Sequence, residues 1–144
     1  MTNAPMTVKS HQPDGSLLKV VNSWMDAWNE ADTERRRDLV RRSFATDGRY
    51  ADPFLAAEGT DAITESLGQL RDLFPGYFVR RKSGVEAHFG RIRYAWELLD
   101  PHGSVVTDGM DVAELAEDGR FQHLVGFVSQ VVPADLESPP PSST

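Results

Sequence analysis

The chain has 144 residues, with 15 Lys and Arg against 22 Asp and Glu, a net charge of −7 and no Cys. A domain of this length buries enough apolar surface to fold without a metal or disulfide staple. The missing thiols exclude disulfide frameworks, CxxC redox pairs and cysteine zinc sites. The acidic balance argues against nucleic acid and anionic lipid surfaces as partners. No apolar run approaches the ~18 residues of a membrane span, and the first residues lack the apolar centre of a secretory signal. The expectation is a soluble cytoplasmic protein.

Residues 1–14, with Pro5 and Pro13, show no periodicity and read as a flexible tail. Residues 133–144 are rich in Pro and Ser and read as a disordered tail, which leaves 15–132 as one domain. Leu17, Val20, Val21, Trp24, Met25 and Trp28 follow helical spacing, with Asp14 or Ser16 as a cap. Asp32 is placed to cap a second helix over residues 33–45, with Leu39, Val40 and Phe44 inward and Asp47-Gly48 as its breaker. Residues 49–52 are a short extended piece ended by Pro53, which pushes its predecessor away from helical angles. A third helix starts near Gly59-Thr60-Asp61, carries Ile63, Leu67, Leu70 and Phe74, and stops at Pro75-Gly76.

The period then changes from helix to strand. Residues 78–90, 91–99, 104–115 and 121–132 read as strands, with turn signals at Asp100-Pro101-His102-Gly103 and Glu117-Asp118-Gly119. Ile92, Tyr94, Trp96 and Leu98 alternate with Arg91, Arg93, Ala95 and Glu97. Helices followed by an antiparallel meander point to an α+β domain. A strongly curved, mostly antiparallel sheet wrapped around three helices would enclose a cone-shaped hollow.

Nucleotide-binding glycine loops, a nucleophile elbow and HExxH are missing from the sequence. His11, His88, His102 and His123 lack metal-ligand spacing, so neither a metal nor a cofactor is expected. The basic runs Arg35-Arg36-Arg37, Arg41-Arg42 and Arg80-Arg81-Lys82 read as solvated faces. Glu34 and Asp38 stand at helical pairing distance from Arg37 and Arg42.

Two acids have apolar neighbours. Asp52 lies in Arg49-Tyr50-Ala51-Asp52-Pro53-Phe54, and Asp111 in Gly109-Met110-Asp111-Val112-Ala113 inside a strand, where Asp is depleted. Asp52 either caps a turn or points into the hollow. Asp111 either faces the hollow with Gly109 and Ala113, or lies on the sheet surface, where Arg93 could pair with it. A carboxyl in an apolar pocket can be raised by up to about 3–5 pKa units, so that one acid of a pair holds a proton while the other takes one. Trp24, Trp28, Tyr50, Phe54 and Trp96 are the candidate ligand-binding aromatics. Tryptophans in such positions are more often plain core than walls that stack on a ligand.

With these stretches, Glu58-Gly59-Thr60-Asp61-Ala62-Ile63 and Glu117-Asp118-Gly119-Arg120-Phe121, the chain resembles the nuclear transport factor 2-like superfamily over about residues 16–130, in its SnoaL-like and ketosteroid isomerase-like branch. The resemblance implies a cystatin-like α+β barrel and a cofactor-free acid/base isomerase or polyketide cyclase acting on a small apolar carbonyl compound. It implies Asp52 as general base and Asp111 as the protonated acid of an oxyanion hole. Trp24 is the approximate counterpart of a Tyr in ketosteroid isomerases. An indole N–H donates but cannot exchange a proton as a phenol does. Two other readings stay open: a non-catalytic ligand-binding or dimerisation module of the same fold, and an epoxide hydrolase-type site using Asp111 with Arg93. The resemblance also implies a homodimer through the outer sheet face, with Val106, Val112, Val125 and Phe127 as candidate contacts.

Overall fold

The computed structural model describes residues 15–129. Helix α1 (Gly15–Asn29) and helix α2 (Thr33–Ser43) are followed by β1 (Phe44–Ala51), β2 (Ala56–Glu58) and α3 (Thr60–Leu73). Strands β3 (Phe78–Arg81), β4 (Glu86–His88), β5 (Arg91–Leu99), β6 (Val105–Leu115) and β7 (Phe121–Val128) complete the order. The sheet runs β2-β1-β7-β6-β5-β3, with β4 also on β5, and it does not close on itself. All pairings are antiparallel except β1 with β7, so this is an α+β architecture with a mixed sheet rather than a pure meander. No helix among the described residues is long and apolar enough to cross a membrane.

Local chemistry explains most of the boundaries. The Asp32 carboxylate accepts from Arg35 N at 2.9 Å and caps α2. That helix stops at Ser43, earlier than its sequence suggests, because Phe44 turns extended and drops into the core. Asp47-Gly48, which looks like a break, lies inside β1. Gly48 is required there because a Cβ would sit 2.9 Å from Ala45 O and from the Phe44 ring. The single strand expected over 78–90 is two strands, and Phe89-Gly90, both at positive φ, make the tight turn into β5. The turn at Asp100 forms as expected, its Oδ1 accepting from His102 N and Ser104 N. Asp14 and residues 130–132 lie outside the described residues.

The core joins all three helices to the inner face of the sheet through Val21, Trp24, Val40, Phe44, Ile63, Leu67, Tyr94, Phe121 and Leu124. Phe74, expected inward, is half exposed at the end of α3. Arg36 corrects the reading of its run as solvated. It is buried, with Nε donating to Glu30 O at 3.0 Å and Nη2 to Ala31 O at 3.1 Å, so it seals the chain leaving α1. Its neighbours keep the expected pairs, Arg37 with Glu34 and Arg42 with Asp38.

Candidate active site

The register of β5, β6 and β7 decides which way Asp111 points. Tyr94, Asp111 and Gly126 lie side by side on three adjacent strands. Strand alternation puts this row on the inner face with Ile92, Trp96, Gly109, Ala113 and Leu124. Asp111 is 5% exposed. Its Oδ2 accepts from the Tyr94 hydroxyl at 2.7 Å and from Trp24 Nε1 at 3.3 Å, and its Oδ1 from Trp96 Nε1 at 3.0 Å. Trp96 reaches it across Gly109, whose missing Cβ would stand 2.5 Å from the indole ring.

Burial pushes the Asp111 carboxyl up from 3.8 to about 6; the three donors pull it down without cancelling that rise, and the charge of Asp52 adds to it. Tyr94 is held well above the ordinary phenol range by burial and then by Asp111, so it stays a donor. Tyr50 is raised in the same direction by burial, then by Asp52 and Asp111.

Asp52 follows β1 directly and is half buried. Its Oδ1 accepts from Phe54 N at 2.7 Å and Leu55 N at 3.0 Å, which is the turn-capping role. Its Oδ2 accepts from the Tyr50 hydroxyl at 2.6 Å and so faces inward. Gly126 joins the two acids. The point its Cβ would occupy lies 3.1 Å from Asp111 Oδ1, 3.4 Å from Asp52 Cβ and 3.6 Å from Tyr50 Oη.

The aromatics divide. Trp24 and Tyr50 are buried 5.1 Å apart, and Trp28 stacks edge-on at 5.8 Å from Trp24 and 6.3 Å from Tyr50. These rings, with Tyr94 and Trp96, occupy the space around Asp111 that the sequence leaves as a hollow. Phe54 does not join them. It is 78% exposed, because the Asp52 turn directs it outward, and this corrects its assignment as a ligand-binding residue. Arg93 does not meet Asp111. It stands opposite Val112 on the outer face and pairs with Glu86 at 2.6 Å, so the relay needed for an epoxide hydrolase-type site does not form. Among the described residues no cluster of His, Asp and Glu is arranged to hold a metal.

Sequence reasoning missed Tyr94 and Gly126. Tyr94 was within reach, since it sits on the apolar side of the alternating strand 91–99. Two open grooves, of about 620 and 710 Å³, lie elsewhere, along α1 and β3, and neither is lined by Asp52 or Asp111.

No family model and no curated protein matches the chain. Solved structures do. A candidate isomerase of the SnoaL-like family from Agrobacterium tumefaciens strain C58 is 36% identical, with a TM-score of 0.75 over 80% of this chain and 98% of that one. A candidate polyketide cyclase from Sinorhizobium meliloti shares the fold at 18% identity and a TM-score of 0.59, over 74% and 92% of the two chains. A protein with a cystatin-like fold from Methylobium petroleophilum PM1 does so at 16% identity and 0.66, over 83% and 79%. The shared helices, curved sheet and identity to the Agrobacterium protein place this chain in the SnoaL-like family, to which it belongs.

Proposed function

We propose that the protein is a cofactor-free acid/base catalyst acting on a small, largely apolar compound bearing a carbonyl or enol. The observation that carries this reading is the nearness of two carboxyls in different settings: Asp111 Oδ1 and the Tyr50 hydroxyl, which donates to Asp52 Oδ2, lie 3.1 and 3.6 Å from the point a Gly126 Cβ would occupy. Two carboxyls in unequal surroundings can divide the work of acid and base. Asp52, fixed by two backbone N–H groups and Tyr50, is assigned to move a proton at carbon. Asp111, in its protonated form, is assigned to hold the developing oxyanion. Trp24, Tyr94 and Trp96 are committed to Asp111 and act by orienting it. With that carboxyl at about 6, turnover is expected to fall as the pH rises above 6.

Native mass spectrometry of the purified protein identifies a carried ligand, and turnover of that compound then tests the reading. Asp52→Asn should lose ~10²–10⁴-fold in rate; full activity in that variant removes the proposal. The close packing of Trp24, Trp28 and Tyr50 favours a second reading, in which the protein binds a ligand without transforming it. Unchanged ligand, bound equally by the Asp52→Asn and Asp111→Asn variants, would select it. The homodimer is placed, also as a proposal, on the outer sheet face. Met110 and Val112 pair there with Phe127 and Val125, Phe127 is 57% exposed, and Val106 is also exposed. Light scattering at micromolar concentration reads the outcome.

A further inference from the structure

Strand β7 lies between β1 and β6, with Tyr50 opposite Leu124 on one side and Asp111 opposite Gly126 on the other. Both side chains are buried, and a side chain at position 126 would press against the two of them. Glycine leaves that space to the Tyr50 hydroxyl and Asp111 Oδ1. The Tyr50 ring is held by Trp24 at 5.1 Å and Trp28 at 6.3 Å, and its hydroxyl donates to Asp52 Oδ2 at 2.6 Å. Its lone pairs take no hydrogen bond from any described residue.

Asp111 in its protonated form needs such an acceptor. Oδ2 already receives Tyr94 and Trp24, so the proton belongs on Oδ1, which receives only Trp96. An indole N–H cannot accept, and Tyr94 is engaged at the other oxygen. A buried donor nearly always finds an acceptor, and Asp111 is nearly shut from bulk water. The other charged groups bearing on this cluster are Asp52, reached through Tyr50, and Arg81 of β3, which acts on Tyr94. Tyr50 feels the charge of both acids and stays protonated. Tyr50 and Asp111 are not bonded to each other in the structure, since neither has a proton to spare while Asp111 is ionised.

We propose that the Tyr50 hydroxyl is a proton relay between the two acids, accepting from Asp111 Oδ1 while it donates to Asp52 Oδ2. It acts through the acids and does not touch the substrate. The use of the relay rests on the acid/base reading above. When Asp52 has taken a proton from carbon and Asp111 has given one to the substrate oxygen, the pair ends in the reverse of its starting state. The Asp52 Oδ2 proton then moves to Tyr50 Oη as the Tyr50 hydroxyl proton moves to Asp111 Oδ1. One O–H bond forms and one breaks at the tyrosine oxygen. Asp52 loses a proton, Asp111 gains one, and no electrons change hands.

The test needs no substrate. Carboxyl-carbon NMR of the full chain follows the Asp111 midpoint in the unaltered protein, in Tyr50→Phe and in Tyr94→Phe. Phenylalanine keeps the ring and removes only the hydroxyl. Loss of the acceptor weakens the protonated form, so Tyr50→Phe should lower the midpoint by about half a pH unit or more. Tyr94 donates to the ionised form, so Tyr94→Phe should raise it. A midpoint unchanged or raised in Tyr50→Phe overturns the relay, because a hydroxyl that only fills space or adds polarity gives that result. A crystal of the unaltered chain at about pH 5 should bring Tyr50 Oη within about 3.0 Å of Asp111 Oδ1. A pair still out of hydrogen-bond range there also overturns the proposal. Should Tyr50→Phe fail to fold, that distance decides. Full turnover in Asp52→Asn removes the acid/base reading and leaves the hydrogen-bond chain in place. An unmoved Asp111 midpoint in Tyr50→Phe removes the relay and leaves the acid pair, so the two readings fail separately.

Discussion

Asp111 and Asp52 each accept three hydrogen bonds, and their situations could hardly differ more. Asp111 takes all of its bonds from side chains on α1 and β5, deep under the sheet. Asp52 takes two of its three from the backbone of its own turn, beside solvent. For Asp111 the loss of water outweighs its donors, and the carboxyl rises. Counting hydrogen bonds therefore does not say what an acid can do. Depth and the origin of the donors decide whether it is a structural anchor, a proton carrier or both.

The strongest way to break this comparison is to delete each acid in turn. Asp111→Ala leaves two indoles and a buried phenol without their acceptor, at about 1–3 kcal/mol for each unsatisfied group. The net loss, after relief of a buried charge, should be about 4 kcal/mol by urea unfolding at neutral pH. Asp52→Ala removes a turn cap near the surface and should cost only about 1 kcal/mol. Equal losses would erase the distinction.

The next effect is the pH dependence of stability. The folded chain binds the Asp111 proton more tightly than the unfolded chain does, so protonation favours the fold. The resulting stability is present at low pH and is lost as the pH climbs from 3.8 to about 6. The full effect is about 3 kcal/mol. Subtracting the unfolding free energies of Asp111→Asn from those of the wild type at each pH isolates it from other acids. A difference that rises with pH through this window has the wrong sign for the structure.

Two glycines sharpen the picture. Gly109→Ala would place a Cβ 2.5 Å from the Trp96 ring and still closer to the Phe127 carbonyl. Overpacking of this kind costs about 1–3 kcal/mol, and it should also displace the indole from Asp111, visible as altered near-ultraviolet circular dichroism. Gly126→Ala meets Asp111 Oδ1 at 3.1 Å and asks for a smaller adjustment. It should cost about 1 kcal/mol and move the Asp111 titration in a carboxyl-carbon NMR experiment.

The helices and the last three strands were legible because their signals are local. Trp24 and Met25 repeat at helical spacing, Ile92, Tyr94 and Trp96 alternate, and Asp100 and Asp118 announce turns. The first strand was hidden because Asp47-Gly48 carries the composition of a turn, while Gly48 is there to let β1 pass close to Phe121. Its parallel pairing with β7 joins residues far apart in the chain, and no local pattern encodes that. At the site, Asp52 and Asp111 stood out as acids among apolar residues. The identity of Asp111's donors depended on strand register, which sequence leaves open by one residue. Phe54 and Arg36 misled for a shared reason: residue type gives the preference for burial, and the local direction of the chain decides the outcome.

The parallel ladder between β1 and β7 also fixes when the two acids can meet. Strands β1 and β2 join the rest of the sheet only through the pairing of β1 with β7, the final strand in the described chain. A polypeptide still emerging from the ribosome has the residues of α1, α2 and the β1–β2 hairpin, and Asp52 has its local donors Tyr50, Phe54 and Leu55. Asp52 meets Gly126 beside Asp111 only when the last strand docks. Closing so long a loop costs entropy, so the pairing of β1 with β7 is expected to form after the local contacts. A chain cut before Phe121 should therefore keep helical signal in circular dichroism while Trp24 loses its shielded fluorescence.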